Sequence, residues 1–227
     1  MQPEFWHERW RTGQTGFHQS AVDRSLRRHW SALGLASRSC RIFVPLCGKS
    51  LDLLWLREQG HFVAGVEISA TALESFCLEN GVPARRRTLA RFDVYEAANL
   101  QLFRGDFIAL TPELLGEVAA IYDRAALISW APELRAAYAA HIAELTPPGA
   151  RMLLVTLEYP QPQMPGPPFS VSGEDVAALF APHFALEEIA REDILASEER
   201  LRAKGVTRLD EVCYQLVRRQ SGLPLVG

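Results

Sequence analysis

The stretch Arg41-Ile42-Phe43-Val44-Pro45-Leu46-Cys47-Gly48-Lys49-Ser50-Leu51-Asp52-Leu53-Leu54-Trp55-Leu56 decides the fold. A β-branched and aromatic run stops at Pro45, a small-residue turn follows at Cys47-Gly48, and an apolar pattern at helical spacing then begins. This is the strand–turn–helix that opens a nucleotide-binding α/β sheet. The next strand-like run, Phe62-Val63-Ala64-Gly65-Val66, ends at an acid, Glu67, about 19 residues after Gly48. A glycine turn followed at that distance by an acid holds a ribose through its hydroxyls.

Gly48-Lys49-Ser50 invites comparison with a phosphate-binding loop. That loop needs a glycine five residues before Gly48, and Phe43 stands there. Pro45 and Leu46 replace its flexible part. A dinucleotide site wants three glycines at fixed offsets so that pyrophosphate can approach the helix, and here there is one. A ligand without phosphate, carrying a ribose and a charged amino-acid tail, fits better. Glu67 takes the ribose hydroxyls, the turn takes the tail, and Arg124 can pair bidentately with a carboxylate.

Outward from this element, residues 4 to 11 form an amphipathic helix with Trp6 and Trp10 on one face, broken by Gly13 and Gly16. A second helix runs from Asp23 to Leu33. Trp, Phe and His clustered around two glycines suit an aromatic cover over a flat ligand. Beyond Glu67, Ser69 or Thr71 caps a helix, with Thr71 and Glu74 in a capping-box register, and Asn80-Gly81 ends it. Arg85-Arg86-Arg87 reads as a solvated edge or loop. Residues 91 to 104 read as a hairpin, with Gly105-Asp106 just beyond it.

Thr111-Pro112-Glu113 starts a helix, and Val118 to Tyr122 is a buried strand with Asp123-Arg124 at its carboxyl end, where open α/β sheets bind ligands. A helix from Pro132 to Leu145 turns Leu134, Tyr138, Ile142 and Leu145 inward, and a strand follows over residues 152 to 157. The proline-rich run from Pro160 to Phe169 is irregular and apolar enough to wall a pocket, together with Phe17 and Trp130. Ser172 caps a helix, residues 184 to 189 and 212 to 217 are half-buried strands, and Ile194 to Lys204 is a charged helix between them. Strands alternating with helices give a mostly parallel sheet covered on both faces, with a late antiparallel strand at or near its edge.

The 227 residues are 48% apolar and 22% charged, sufficient for one domain with a substantial core. The net charge of −3 argues against a general electrostatic hold on nucleic acid. Cys40, Cys47, Cys77 and Cys213 form no CxxC pair, and the six histidines pair at no ligand spacing, so free thiols and no metal are expected. The amino terminus has no signal-peptide core and no apolar run approaches about 18 residues, which predicts a cytoplasmic protein without a membrane span.

Gln2-Pro3-Glu4-Phe5-Trp6-His7 with Trp10, Gly16-Phe17-His18-Gln19, Val44 to Ser50, Gly65-Val66-Glu67-Ile68-Ser69, Tyr122-Asp123-Arg124-Ala125-Ala126-Leu127 and Pro165-Gly166-Pro167-Pro168-Phe169 together resemble the thiopurine S-methyltransferase family, in its bacterial branch. The matches run in order over nearly the whole chain. The resemblance implies an α/β class I methyltransferase (Rossmann-like) fold. Its mostly parallel seven-stranded sheet would carry helices on both faces, in a single domain spanning residues 1 to 227. Residues 1 to 34 would be an N-terminal helical lid and 40 to 219 the α/β core.

It also implies S-adenosyl-L-methionine as cofactor, held by Trp6, Trp10, Phe17, Leu46, Gly48, Glu67, Gly105, Asp106 and Arg124. Phe17, Arg124, Pro167, Pro168 and Arg200 would face the acceptor, and Asp123 or Arg200 would order or accept a proton. The expected reaction is S-methylation of aromatic or heterocyclic thiols such as thiopurines, extending to selenium or tellurium compounds, by a monomer acting on small molecules. The competing readings are a nicotinamide-dependent oxidoreductase and a non-catalytic S-adenosylmethionine-binding protein.

Overall fold

Two runs of the chain, residues 3–35 and 39–220, are described by the computed structural model, so Met1 and Gln2 of the amino-terminal motif and the last seven positions lie outside it. Contacts divide the chain into two compact units, Met1–Tyr122 and Asp123–Gly227. In the first, α1 (Pro3–Arg11) buries Trp10, and α2 (Arg24–His29) starts where the Asp23 carboxylate accepts the Leu26 N–H. A 3-10 turn, Trp30–Leu33, extends α2 to a left-handed Gly34.

β1 (Arg41–Val44), α3 (Asp52–Glu58), β2 (Phe62–Glu67) and α4 (Ala70–Glu79) then follow as their patterns predict. Ser69, not Thr71, caps α4: its extended backbone directly after β2 lets the hydroxyl accept the Ala72 N–H. Thr71 is inside the helix, and Glu74 instead receives the Tyr95 hydroxyl at 3.2 Å.

The arginine run is a strand, β3 (Arg85–Leu89), antiparallel to β4 (Phe92–Ala97), which pairs antiparallel with β5 (Leu100–Arg104). Ion pairs Arg86–Asp93 and Arg87–Glu96, both 2.8 Å, run across the first pair, and charges along an exposed edge resist further strand addition. α5 (Pro112–Leu115) is a single turn capped by Thr111, and β6 (Ala120–Arg124) ends on the acid and the arginine. The strand order in this unit is β3-β4-β5-β2-β1-β6, with β5, β2, β1 and β6 mutually parallel.

In the second unit, α6 (Arg135–Leu145) buries Tyr138, Ile142 and Leu145, whereas Leu134 falls in the preceding 3-10 turn and is exposed. β7 (Arg151–Glu158), α7 (Gly173–Phe180), β8 (Phe184–Asp193), α8 (Glu199–Ala203) and β9 (Asp210–Arg218) complete it. β9 runs antiparallel to both β7 and β8, the late antiparallel strand the sequence led one to expect.

The helix expected over Ile194 to Lys204 is reduced to α8. The Asp193 carboxylate takes the Leu195 N–H and the Ser197 hydroxyl donates to the Ile194 carbonyl, so side chains compete with the helical ladder there. Nine strands are present among the described residues rather than about seven. The excess is the β3–β4 pair, an antiparallel extension on β5.

Candidate active site

Glu67 is the node of the first unit. It ends β2, between β1 and β5, and its side chain is 6% exposed. One carboxylate oxygen accepts the Gly48 N–H at 3.0 Å and the other the Ser69 N–H at 2.8 Å, while its backbone carbonyl accepts the Gly105 N–H at 2.9 Å. The loops after three parallel strands are thereby fixed at one residue. Burial pushes this carboxyl up to about 7, against the opposing pull of the Ser69, Gly48 and Ile68 N–H groups.

The turn after β1 is tight. Leu46 and Gly48 both have positive φ, +47° and +52°, and the Cys47 N–H donates to the Val66 carbonyl. A Cβ on Gly48 would lie 3.1 Å from the Trp10 ring, so the indole rests on the backbone at the one residue whose lack of a side chain permits it. Phe17 packs edge-on against both Trp10 (5.4 Å between centroids) and Trp6 (5.6 Å). Gly105 meets a neighbouring ring in the same way, since a Cβ there would stand 2.5 Å from Phe92. Asp106 is exposed and caps the next turn through the Ile108 N–H.

The two residues that hinted at phosphate are engaged locally. Lys49 pairs with Glu79 at 2.8 Å, and the Ser50 hydroxyl accepts the Asp52 N–H. The first unit therefore brings together Trp6, Trp10, Phe17, Gly48, Glu67 and Gly105, with Leu46 in the turn and Asp106 beside Gly105.

In the second unit Asp123 is fully buried, accepting the Tyr138 hydroxyl at 2.6 Å and the Leu127 N–H at 3.1 Å. Burial raises its carboxyl to about 6. An acid so enclosed organises the turn after β6 and is not displayed as an exposed base. Arg124 is half-buried at the end of β6, followed by Ala125 at a positive φ of +63°. Trp130, expected to wall a pocket, is 4% exposed and lies against Tyr138 in the interior.

Pro167 and Pro168 are half-buried, and the Pro168 carbonyl accepts the Tyr159 hydroxyl at 2.7 Å. Arg200 is exposed on α8, while its neighbour Leu201 is buried in a cluster with Tyr159 and Met164. The proline-rich run and α8 thus belong to one packed region. The sequence places Tyr138 inward but does not show its bond to Asp123, and it singles out Tyr159 for nothing. Neither stands in a motif: one reads as an ordinary inward helix residue and the other as the end of a strand. Among the described residues no group of three or more His, Cys, Asp or Glu side chains could hold a metal ion.

A model of the family described as "Thiopurine S-methyltransferase (TPMT)" matches residues 1–220. The thiopurine S-methyltransferase of Shewanella woodyi is 46% identical over 96% of this chain and 100% of its own length. That of Pseudomonas fluorescens SBW25 is 48% identical over the same shares. Among solved structures, a Burkholderia thailandensis 1,6-didemethyltoxoflavin-N1-methyltransferase with bound S-adenosylhomocysteine aligns at TM-score 0.62 and 14% identity, over 96% of this chain and 87% of that one. A TehB-like methyltransferase from Corynebacterium glutamicum aligns at TM-score 0.55 and 14% identity, over 96% and 98%. These structural likenesses support the α/β class I fold. On the family model and the near-full-length identities, the chain belongs to the thiopurine S-methyltransferase family and is a methyltransferase.

Proposed function

We propose that the protein transfers a methyl group from S-adenosyl-L-methionine to the sulfur of aromatic or heterocyclic thiols such as thiopurines, and to selenium or tellurium nucleophiles of similar softness. The observation that carries the cofactor reading is the Glu67 node, where the loops after β1 and β2 donate to a buried carboxylate and the loop after β5 donates to the same residue's backbone carbonyl. The residues fit that cofactor. The Glu67 carboxylate takes the Gly48 and Ser69 N–H groups on its two oxygens, with the Ile68 N–H also directed at it, and with about four lone-pair positions it still has acceptor capacity for a ribose hydroxyl. Gly48 and Leu46 would offer turn backbone to the cofactor's amino-acid tail, Gly105 and Asp106 would lie on its adenine side, and Arg124 would pair with its carboxylate. Trp6, Trp10 and Phe17 cover the turn and exclude water.

When bound, S-adenosylmethionine supplies a methyl group activated by a sulfonium. The protein's part is to hold donor and acceptor in line within a dry site. The family resemblance assigns Phe17, Pro167 and Pro168 to the acceptor as flat apolar surface, and Arg200 as the charge that would favour its thiolate. Thiopurines ionise readily near neutral pH, so no general base is required. Asp123 is a positioning residue that fixes the turn behind Arg124. The same reading takes the protein as a cytoplasmic monomer that acts on small molecules and binds no nucleic acid. No helix among the described residues is long and apolar enough to cross a membrane.

The test is mass spectrometry of products from matched acceptors, a thiopurine and its oxo analogue, incubated with S-adenosylmethionine. S-methylated thiopurine alone is expected. Cofactor binding without turnover on any thiol or selenol would contradict the activity, and NADH binding in place of S-adenosylhomocysteine would contradict the cofactor.

A further inference from the structure

We propose that Tyr159 is a positioning residue for the acceptor pocket, holding the proline-rich wall and the α8 excursion as one frame that sets acceptor size. The inference rests on the reading above that Pro167, Pro168 and Arg200 face the acceptor. Tyr159 directly follows β7 and is 4% exposed. Its hydroxyl donates to the Pro168 carbonyl at 2.7 Å, with the Met164 carbonyl at 3.4 Å. Its backbone N–H donates to the Ser170 hydroxyl, so both ends of the loop return to this residue. Burial raises the phenol, which therefore stays protonated and remains a donor.

The ring does the other half. Tyr159 packs in a cluster with Met164, Ile194, Leu201, Val206 and Leu209, which spans the loop and the segment carrying Arg200. Gln163 and Thr207 close the frame on the outside. The Gln163 amide donates to the Thr207 hydroxyl at 2.9 Å, and its carbonyl accepts the Thr207 N–H at 2.9 Å. One phenol thus ties a wall residue by its hydroxyl and the α8 segment by its ring. The bond fixes the Pro168 carbonyl in direction as well as distance, and the close packing of the ring holds the α8 segment beside it.

The test uses the full chain as wild type, Tyr159→Phe and Gln163→Ala. Phenylalanine keeps the ring and removes only the hydroxyl, so the fold should survive. Kinetics with a bicyclic thiopurine and a monocyclic thiophenol should show KM for the former rising about 5-fold in Tyr159→Phe, the scale of one lost hydrogen bond. KM for thiophenol, kcat and S-adenosylhomocysteine affinity should hold. A purely structural role would move both acceptors together. Hydrogen exchange gives a readout that needs no activity. In Tyr159→Phe and in Gln163→Ala, residues 160–169 and 199–207 should exchange faster together while β9 stays protected. An unchanged KM ratio, or acceleration in only one segment, would overturn the inference. Wild-type inactivity on every thiol would instead sink the functional reading, and the exchange result would still decide whether the frame exists.

Discussion

At the residue scale, Glu67 is a carboxylate kept dry and yet held by backbone N–H groups, a combination suited to accepting ribose hydroxyls when charged. Since burial lifts its pKa from 4.5 to about 7, the apo site is half-protonated near neutrality. Hydroxyl donors favour the charged form, so cofactor affinity should rise between pH 6 and pH 8. Calorimetry of S-adenosylhomocysteine at the two pH values checks this, and a flat profile would tell against the carboxylate as hydroxyl acceptor. Gly48 is the second decisive residue. Gly48→Ala combines a positive φ with a Cβ 3.1 Å from the Trp10 ring. It should cost about 1–3 kcal/mol of stability in urea denaturation and displace Trp10 fluorescence. A neutral substitution would mean that Trp10 does not rest on the turn in solution.

At the scale of elements, the parts that follow period and cap chemistry were legible: α1 from Trp6 and Trp10, β1 to β2 from apolar runs around one glycine, and the Ser172 cap. The parts that depend on partners were not. β3 is exposed at nearly every position, so no alternation marks it, and only pairing with β4 makes Arg85-Arg86-Arg87 a strand. α8 shortens because Asp193 and Ser197 bond to nearby backbone. The β6 turn carries its own prediction. Tyr138→Phe removes the hydroxyl from buried Asp123 and should cost roughly 1–3 kcal/mol. The loss should be larger at pH 8 than at pH 5, because the Asp123 carboxyl, at about 6, is charged only at the higher pH. Equal losses at both would show that Asp123 remains neutral throughout.

At the scale of the molecule, the residues of the candidate site were more legible than the frame around them. Glu67, Gly48 and the amino-terminal aromatics announce themselves by type and spacing. Tyr138 and Tyr159 act through groups distant in sequence, and no local pattern marks them. The buried acids also shape overall stability. A folded-state pKa above the unfolded one means that the folded chain keeps a proton the unfolded chain has lost, so stability falls as pH rises. For Glu67 the window is 4.5 to about 7, and for Asp123 it is 3.8 to about 6. His61 has the opposite sign: burial lowers its pKa, so its contribution is lost as pH falls below 6.5. The apo protein should therefore melt highest at mildly acid pH, and bound S-adenosylhomocysteine should raise Tm more at pH 8 than at pH 6, measurable by calorimetric scans. Glu67 carries the proposed cofactor binding most directly. Titration of S-adenosylhomocysteine into wild type and Glu67→Ala should show affinity weakened by roughly 1.5–3 kcal/mol, about 10- to 150-fold, in the variant. Equal affinity in the two proteins would contradict it.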